Sequence, residues 1–144
     1  MKFIHILLVE DNEGDILLTT EALEEGKIMN KLSVARDGQE ALDFLNKKGE
    51  FQTSELPDLI LLDVNLPRKN GHEVLKYIKT HQVFRSIPVI MLTTSSSQKD
   101  IDESYKNYAN CYITKPIELS DFMEAIGKIE EFWINLVKLP KIDA

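Results

Sequence analysis

Five short apolar runs punctuate the chain, and a stretch with helical spacing follows each one. The runs are "FIHILLV" at 3–9, "KLSVA" at 31–35, "DLILL" at 58–62, "IPVIML" at 87–92 and "CYIT" at 111–114. Near-continuous apolar runs of this length read as strands covered on both faces. The intervening segments carry apolar residues at steps of three and four. Ile16, Thr20 and Leu23 mark the first, over residues 14–25. Ala41, Leu42 and Leu45 mark the second, and Val74, Leu75 and Ile78 the third. Ile101, Tyr105 and Tyr108 mark the fourth, and a last helix is predicted from Leu119 to Val137. A polar loop at 48–57 precedes the third strand. Strand and helix alternating five times predict an α/β fold, a doubly wound parallel sheet of five strands with five helices on its two faces.

Composition narrows the function classes. The net charge is −7 with no basic stripe, which argues against nucleic acid and against an anionic membrane surface. The single cysteine, Cys111, rules out an internal disulfide and a cysteine-based zinc site, and reads as a small buried hydrophobe. The first apolar run meets Glu10 and Asp11 too soon for a signal peptide, and no apolar stretch approaches spanning length. The expectation is a cytoplasmic protein of one domain over residues 1–144, with 138–144 as a flexible tail and no output domain following. No glycine-rich phosphate loop is present, which argues against a nucleotide enzyme. His5, His72 and His81 are scattered and read as ordinary core or surface residues.

In open parallel sheets, ligands bind beyond the carboxyl ends of the strands. Strand one ends in Glu10 and Asp11, strand three in Asp63, strand four in Thr93 and Thr94, and strand five in Lys115 before Pro116. A flavodoxin-like strand order of 2-1-3-4-5 makes strands one and three neighbours, so Glu10, Asp11 and Asp63 share one pocket. Two carboxylates about 4 Å apart repel by roughly 4 kcal/mol at an effective dielectric near 20. Such a cluster needs protons or a cation. An oxygen-only donor set favours Mg²⁺ or Mn²⁺ over zinc, and Lys115 can offset part of the charge. A metal alone leaves Thr93 and Lys115 without a role. A phosphoryl acceptor explains both, with Asp63 as nucleophile and Lys115 and Thr93 contacting the phosphoryl oxygens.

Taken singly, each feature has a plainer reading. Asp63 could open a turn before Pro67 and Gly71, and Glu10 and Asp11 could favour a helix N-terminus. Thr93 and Thr94 could be β-branched strand residues, and Lys115-Pro116 an ordinary turn. Their joint placement at four strand ends outweighs those readings. The motifs "LLVEDN", "LILLDVNLPRKNG", "IPVIMLTTS" and "CYITKP" together resemble the receiver domain of two-component response regulators, in order and over nearly the whole chain. The resemblance implies Asp63 as phospho-acceptor, Asp11 as a direct Mg²⁺ ligand, Glu10 as a ligand through water, and Asn65 as a ligand through its backbone carbonyl. It also implies Thr93 as switch hydroxyl, Lys115 as the family's pocket lysine and Tyr112 as switch aromatic. Glu10 stands where the family more often has Asp. The segments "EDNEGD", "NLPRKNG", "LTTSSSQKDI" and "IEEFWINLVKLP" are similar to those of stand-alone regulators that partner phytochrome-type histidine kinases.

The resemblance therefore implies a phosphoryl group taken from a histidine kinase and a switched protein-interaction surface, with no turnover of external substrate. One rival is a small phosphohydrolase with an aspartate nucleophile. Enzymes of that kind carry a second Asp two positions on, where this chain has Asn65. Another is a receiver-like module that binds partners without phosphate. At the other end of the chain, Leu119, Phe122, Ile126, Ile129, Trp133 and Leu136 form a long apolar stripe, and 29 residues follow Lys115. Phe132, Trp133, Leu136 and Val137 extend beyond what a compact sheet needs, and predict a homodimer or kinase-docking surface.

Overall fold

The computed structural model describes residues 3–26 and 29–142. Strand β1 (Ile4–Val9) leads into helix α1 (Glu13–Glu25), β2 (Asn30–Ala35) into α2 (Gly38–Leu45), and β3 (Leu59–Leu62) into α3 (Gly71–Thr80). Then β4 (Val89–Thr93) leads into α4 (Gln98–Lys106), and β5 (Cys111–Thr114) into α5 (Leu119–Ile129). All pairings are parallel, in the order β2-β1-β3-β4-β5. This is the expected flavodoxin-like, doubly wound sheet.

The apolar runs explain the two cores. Side chains alternate across a strand, so each central strand feeds both faces. Leu7, Val9, Ile60, Leu62, Val89 and Met91 pack with Leu42, Leu45, Leu75 and Ile78 of α2 and α3. Ile6, Leu8, Leu59, Leu61, Ile90 and Leu92 pack with Ile16, Leu23, Phe122 and Ile126 of α1 and α5. Each fully buried side chain of this size stabilises the fold by roughly 1.5–3 kcal/mol relative to exposure. A one-residue slip in a central strand would exchange the two sets of side chains.

Helix starts follow the polar residues at the strand ends. Asn12, Asp37, Asn70 and Ser97 each accept a hydrogen bond from the backbone N–H three residues on, opening α1, α2, α3 and α4. Asn70 and Glu73 complete a capping box. These caps fix where each helix leaves the loop at the carboxyl edge of the sheet.

Three elements differ from expectation. In α1 the buried residues are Ile16, Thr19, Ala22 and Leu23, while Thr20 is half-buried and returns its hydroxyl to the Ile16 carbonyl. Helix α4 buries only Ser104 and leaves Tyr105 exposed. Tyr108 lies past the helix end at φ +67° and is 75% exposed. The reason is that α4 packs on β5, an edge strand that is itself only half-covered. Finally, the last helix is not one uninterrupted α-helix. After Ile129 it continues as a π-helical segment, Glu130–Leu136, which spaces Ile129 and Ile134 five apart and buries both. Of the predicted stripe, Phe122, Ile126 and Ile129 are buried, Trp133 is half-buried and Leu119 is exposed. The side chain of Leu136 lies outside the described residues. Of the tail, Ile142 packs on the α2–α3 core, and residues 143–144 lie outside the described residues.

Candidate active site at the carboxyl edge of the sheet

Register brings the strand-end residues to one level. Val9 lies opposite Leu62, and Leu62 opposite Met91. The ladder runs one step further at each side: the Asp63 N–H donates to Val9 O at 3.1 Å and the Glu10 N–H to Ala35 O at 2.9 Å. Glu10 and Asp63 therefore leave neighbouring strands side by side. At the other edge, Thr93 pairs with Thr114, and the Lys115 N–H donates to Thr93 O at 2.6 Å. The turn after Asp63 folds back tightly. The Gly71 N–H donates to Val64 O at 2.8 Å, and a side chain at 71 would begin 2.1 Å from the Asp63 carbonyl oxygen. Glycine is needed there because backbone occupies the space of a Cβ.

The pocket is a buried charge cluster. Glu10 is 3% exposed, Asp63 6% and Lys115 6%. Asp11 forms the exposed rim, and Thr93 is wholly buried. The Lys115 ammonium donates to Glu10 Oε1, to Asp15 Oδ2 at 2.9 Å and to Asp63 Oδ2 at 3.2 Å. The second Glu10 oxygen accepts the N–H groups of Asp11 and Asn12 at 3.1 and 3.2 Å. The other Asp63 oxygen accepts the Asn65 N–H at 3.2 Å. Burial pushes the Glu10 carboxyl up to about 7; the neighbouring Asp63 charge adds to this and the Lys115 hydrogen bond opposes it. Burial would lower the Lys115 ammonium, but the Glu10 hydrogen bond and the Asp63 and Glu10 charges raise it above the usual lysine range.

One carboxylate oxygen each from Glu10, Asp11 and Asp63 lie within 4.8 Å of one another. An oxygen-only set of three acids fits a hard divalent cation. Asp63 also lies beside a lysine ammonium and out of bulk water. Residues 6–127 match the response regulator receiver domain family. The chain belongs to the response regulator receiver family. It is similar to the response regulator Rcp1 of Synechocystis sp., with 45% identity over 135 residues, covering 94% of this chain and 92% of that one. The crystal structure of the Mn²⁺-bound form of Rcp1 superposes with a TM-score of 0.93 at 44% identity, over 96% of this receiver and 99% of that chain. The phosphorylated cyanobacterial phytochrome response regulator RcpA superposes with a TM-score of 0.94 at 44% identity, over 97% and 100%.

The receiver fold thus gathers Glu10, Asp11, Asp63, Thr93 and Lys115 at one edge of the sheet. Asn65 is exposed at the rim, tied to Asp63 by its backbone N–H. Tyr112 lies on β5, the strand that leads into Lys115; it is half-buried, and its hydroxyl donates to Ser95 O at 2.9 Å. Ser95 in turn donates its N–H to Thr93 Oγ1 at 3.3 Å and its hydroxyl to Asp100 Oδ2 at 2.5 Å. His72 of α3 sits between Asp100 at 2.9 Å and Glu103 at 3.0 Å, so it ties α3 to α4 and is more than a scattered histidine. Sequence reading also missed Asp15, Ser95 and Asp100. The signals available for Asp15 were its place four residues after Asp11 and its membership of the quoted segment "EDNEGD". Among the described residues no helix is long and apolar enough to cross a membrane.

Proposed function

We propose that this receiver takes a phosphoryl group from the phosphohistidine of a histidine kinase onto Asp63, and that the loop after β4 responds to its arrival. The observation that carries this reading is the Lys115 ammonium, 3.2 Å from Asp63 Oδ2 inside a nearly closed pocket. A carboxylate oxygen of Asp63 attacks phosphorus, the P–N bond to the kinase imidazole breaks, and its electron pair stays on the imidazole nitrogen. Lys115 stabilises the negative oxygens of the transferring group, and burial strengthens that interaction. Glu10, Asp11 and Asp63, with the carbonyl of Asn65, would hold Mg²⁺, for which Mn²⁺ could substitute. When bound, the ion offsets the charge of the carboxylates and of the phosphoryl oxygens.

The switch follows from the hydrogen bonds now in place. Thr93 Oγ1 accepts the Ser95 N–H, and the Tyr112 hydroxyl holds Ser95 O. A phosphoryl oxygen that takes the Thr93 hydroxyl draws this loop inward and releases Tyr112. The surface of α4, β5 and α5 then changes by a shift between two populations. The likeness to Rcp1 and RcpA supports a phytochrome-type kinase as donor. Exposed Phe132, with an apolar cavity of about 330 Å³ between β5 and α5 that Trp133 and Ile129 help line, supports a homodimer through the C-terminal helix.

Beryllofluoride with Mg²⁺ tests the reading, because it mimics a phosphoryl group on a carboxylate. One equivalent is expected to saturate the protein and to shift the amide signals of residues 63, 93–95, 112 and 115. Identical shifts in Asp63→Asn would contradict the assignment.

A further inference from the structure

The Lys115 ammonium has a third carboxylate partner, to which the family resemblance assigns no role. Asp15 Oδ2 lies 2.9 Å from Nζ, nearer than Asp63 Oδ2 at 3.2 Å. Asp15 sits in the first turn of α1, and its backbone is pinned twice. Its N–H donates to Asn12 Oδ1 at 2.9 Å, and its carbonyl accepts the Thr19 hydroxyl at 2.7 Å. Its side chain is 26% exposed, whereas that of Lys115 is 4% exposed. Asp15 therefore reaches inward from the rim of the pocket to a buried ammonium.

The other two partners have further duties in the cycle proposed above. Glu10 belongs to the acidic set that fits a cation, and Asp63 is the acceptor whose oxygen becomes an acyl phosphate. Of the three, Asp15 alone has neither duty and can keep its bond to Lys115 throughout. A lysine ammonium has three donors on a flexible four-carbon stem, so one permanent acceptor restricts where the other two point. We infer that Asp15 is a positioning residue that holds the Lys115 ammonium over the acceptor oxygen while Glu10 and Asp63 change partners. The inference rests on the reading of Asp63 as acceptor.

The test uses the full chain with Asp15→Asn, Asp15→Ala and Asp15→Glu. None of these touches the backbone bonds to Asn12 and Thr19, and thermal melts check that each variant folds. The first readout is the rate of labelling by acetyl phosphate at saturating Mg²⁺. Asp15→Asn and Asp15→Ala are expected to slow it roughly tenfold, within the loss that slight misplacement of a positioned group causes. Asp15→Glu is expected to restore much of the rate. The second readout needs no metal: the ¹⁵N signal of the Lys115 ammonium is expected to be sharp in the native chain, broadened in Asp15→Asn and recovered in Asp15→Glu. Equal or faster labelling in Asp15→Asn, or an unchanged ammonium signal, overturns the inference. A native chain that takes no label overturns the acceptor reading instead, and the ammonium spectra then decide the role of Asp15 on their own.

Discussion

Glu10 shows what burial does to a carboxyl in this pocket. It is 3% exposed and lies beside another acid, and burial lifts its carboxyl to about 7. A carboxyl raised in the folded state contributes stability below its unfolded value near 4.5, and that contribution is lost as pH climbs through about 7. A cation must compete with the same proton. Mg²⁺ affinity is therefore expected to rise with pH and to level off above about 7.5, being about tenfold weaker at pH 6 than at pH 8. Calorimetry in buffers of different ionisation enthalpy should also show proton release at pH 6. Equal affinity at both pH values, with no proton released, would contradict a protonated Glu10. Asp63 and Thr93 were legible because each ends an apolar run, where side chains meet at the edge of a parallel sheet. Asp15 was not, because an acid in the first turn of a helix reads equally well as a dipole partner.

At the scale of elements, the loop from Asp63 to α3 carries a tight backbone constraint. A Cβ at Gly71 would meet the Asp63 carbonyl oxygen at 2.1 Å, and that oxygen belongs to the residue proposed as acceptor. Gly71→Ala is expected to lower stability by about 1–3 kcal/mol through backbone displacement. Urea unfolding would show this as a lower midpoint at unchanged slope, and an unaltered midpoint would refute the close approach. Strand positions were legible because strands covered on both faces must be apolar throughout, as Leu59–Leu62 are. Helix faces were legible where a helix lies on the sheet, as for Val74, Leu75 and Ile78. They were not for α4. Its tyrosines satisfy helical spacing, yet the helix covers an edge strand, and Tyr105 uses its hydroxyl to accept the Tyr112 N–H at 3.1 Å. The π-helical segment was hidden for a related reason: a spacing of five between Ile129 and Ile134 breaks the period by which helices are read.

For the whole molecule, the sheet order is what converts four separated motifs into one site. Glu10 and Lys115 are 105 positions apart in sequence and in direct contact in the fold. Strand order together with the residue ending each strand anticipated that Lys115 approaches the acidic cluster; its direct contact with Glu10, and the hydrogen bonds linking Ser95, Asp100 and His72, depend on side-chain and loop conformation and were not readable. The apolar C-terminal surface has its own consequence at this scale. Sedimentation at high micromolar concentration is expected to show a dimer, and a monomer in both phosphorylated and free states would exclude one. The most direct measurement is the site of phosphoryl transfer, taken from protein incubated with acetyl phosphate and Mg²⁺ and mapped by mass spectrometry. One hydroxylamine-labile phosphoryl group is expected on Asp63, and none on Asp63→Asn; label on another residue, or undiminished label on the variant, would contradict the assignment of Asp63.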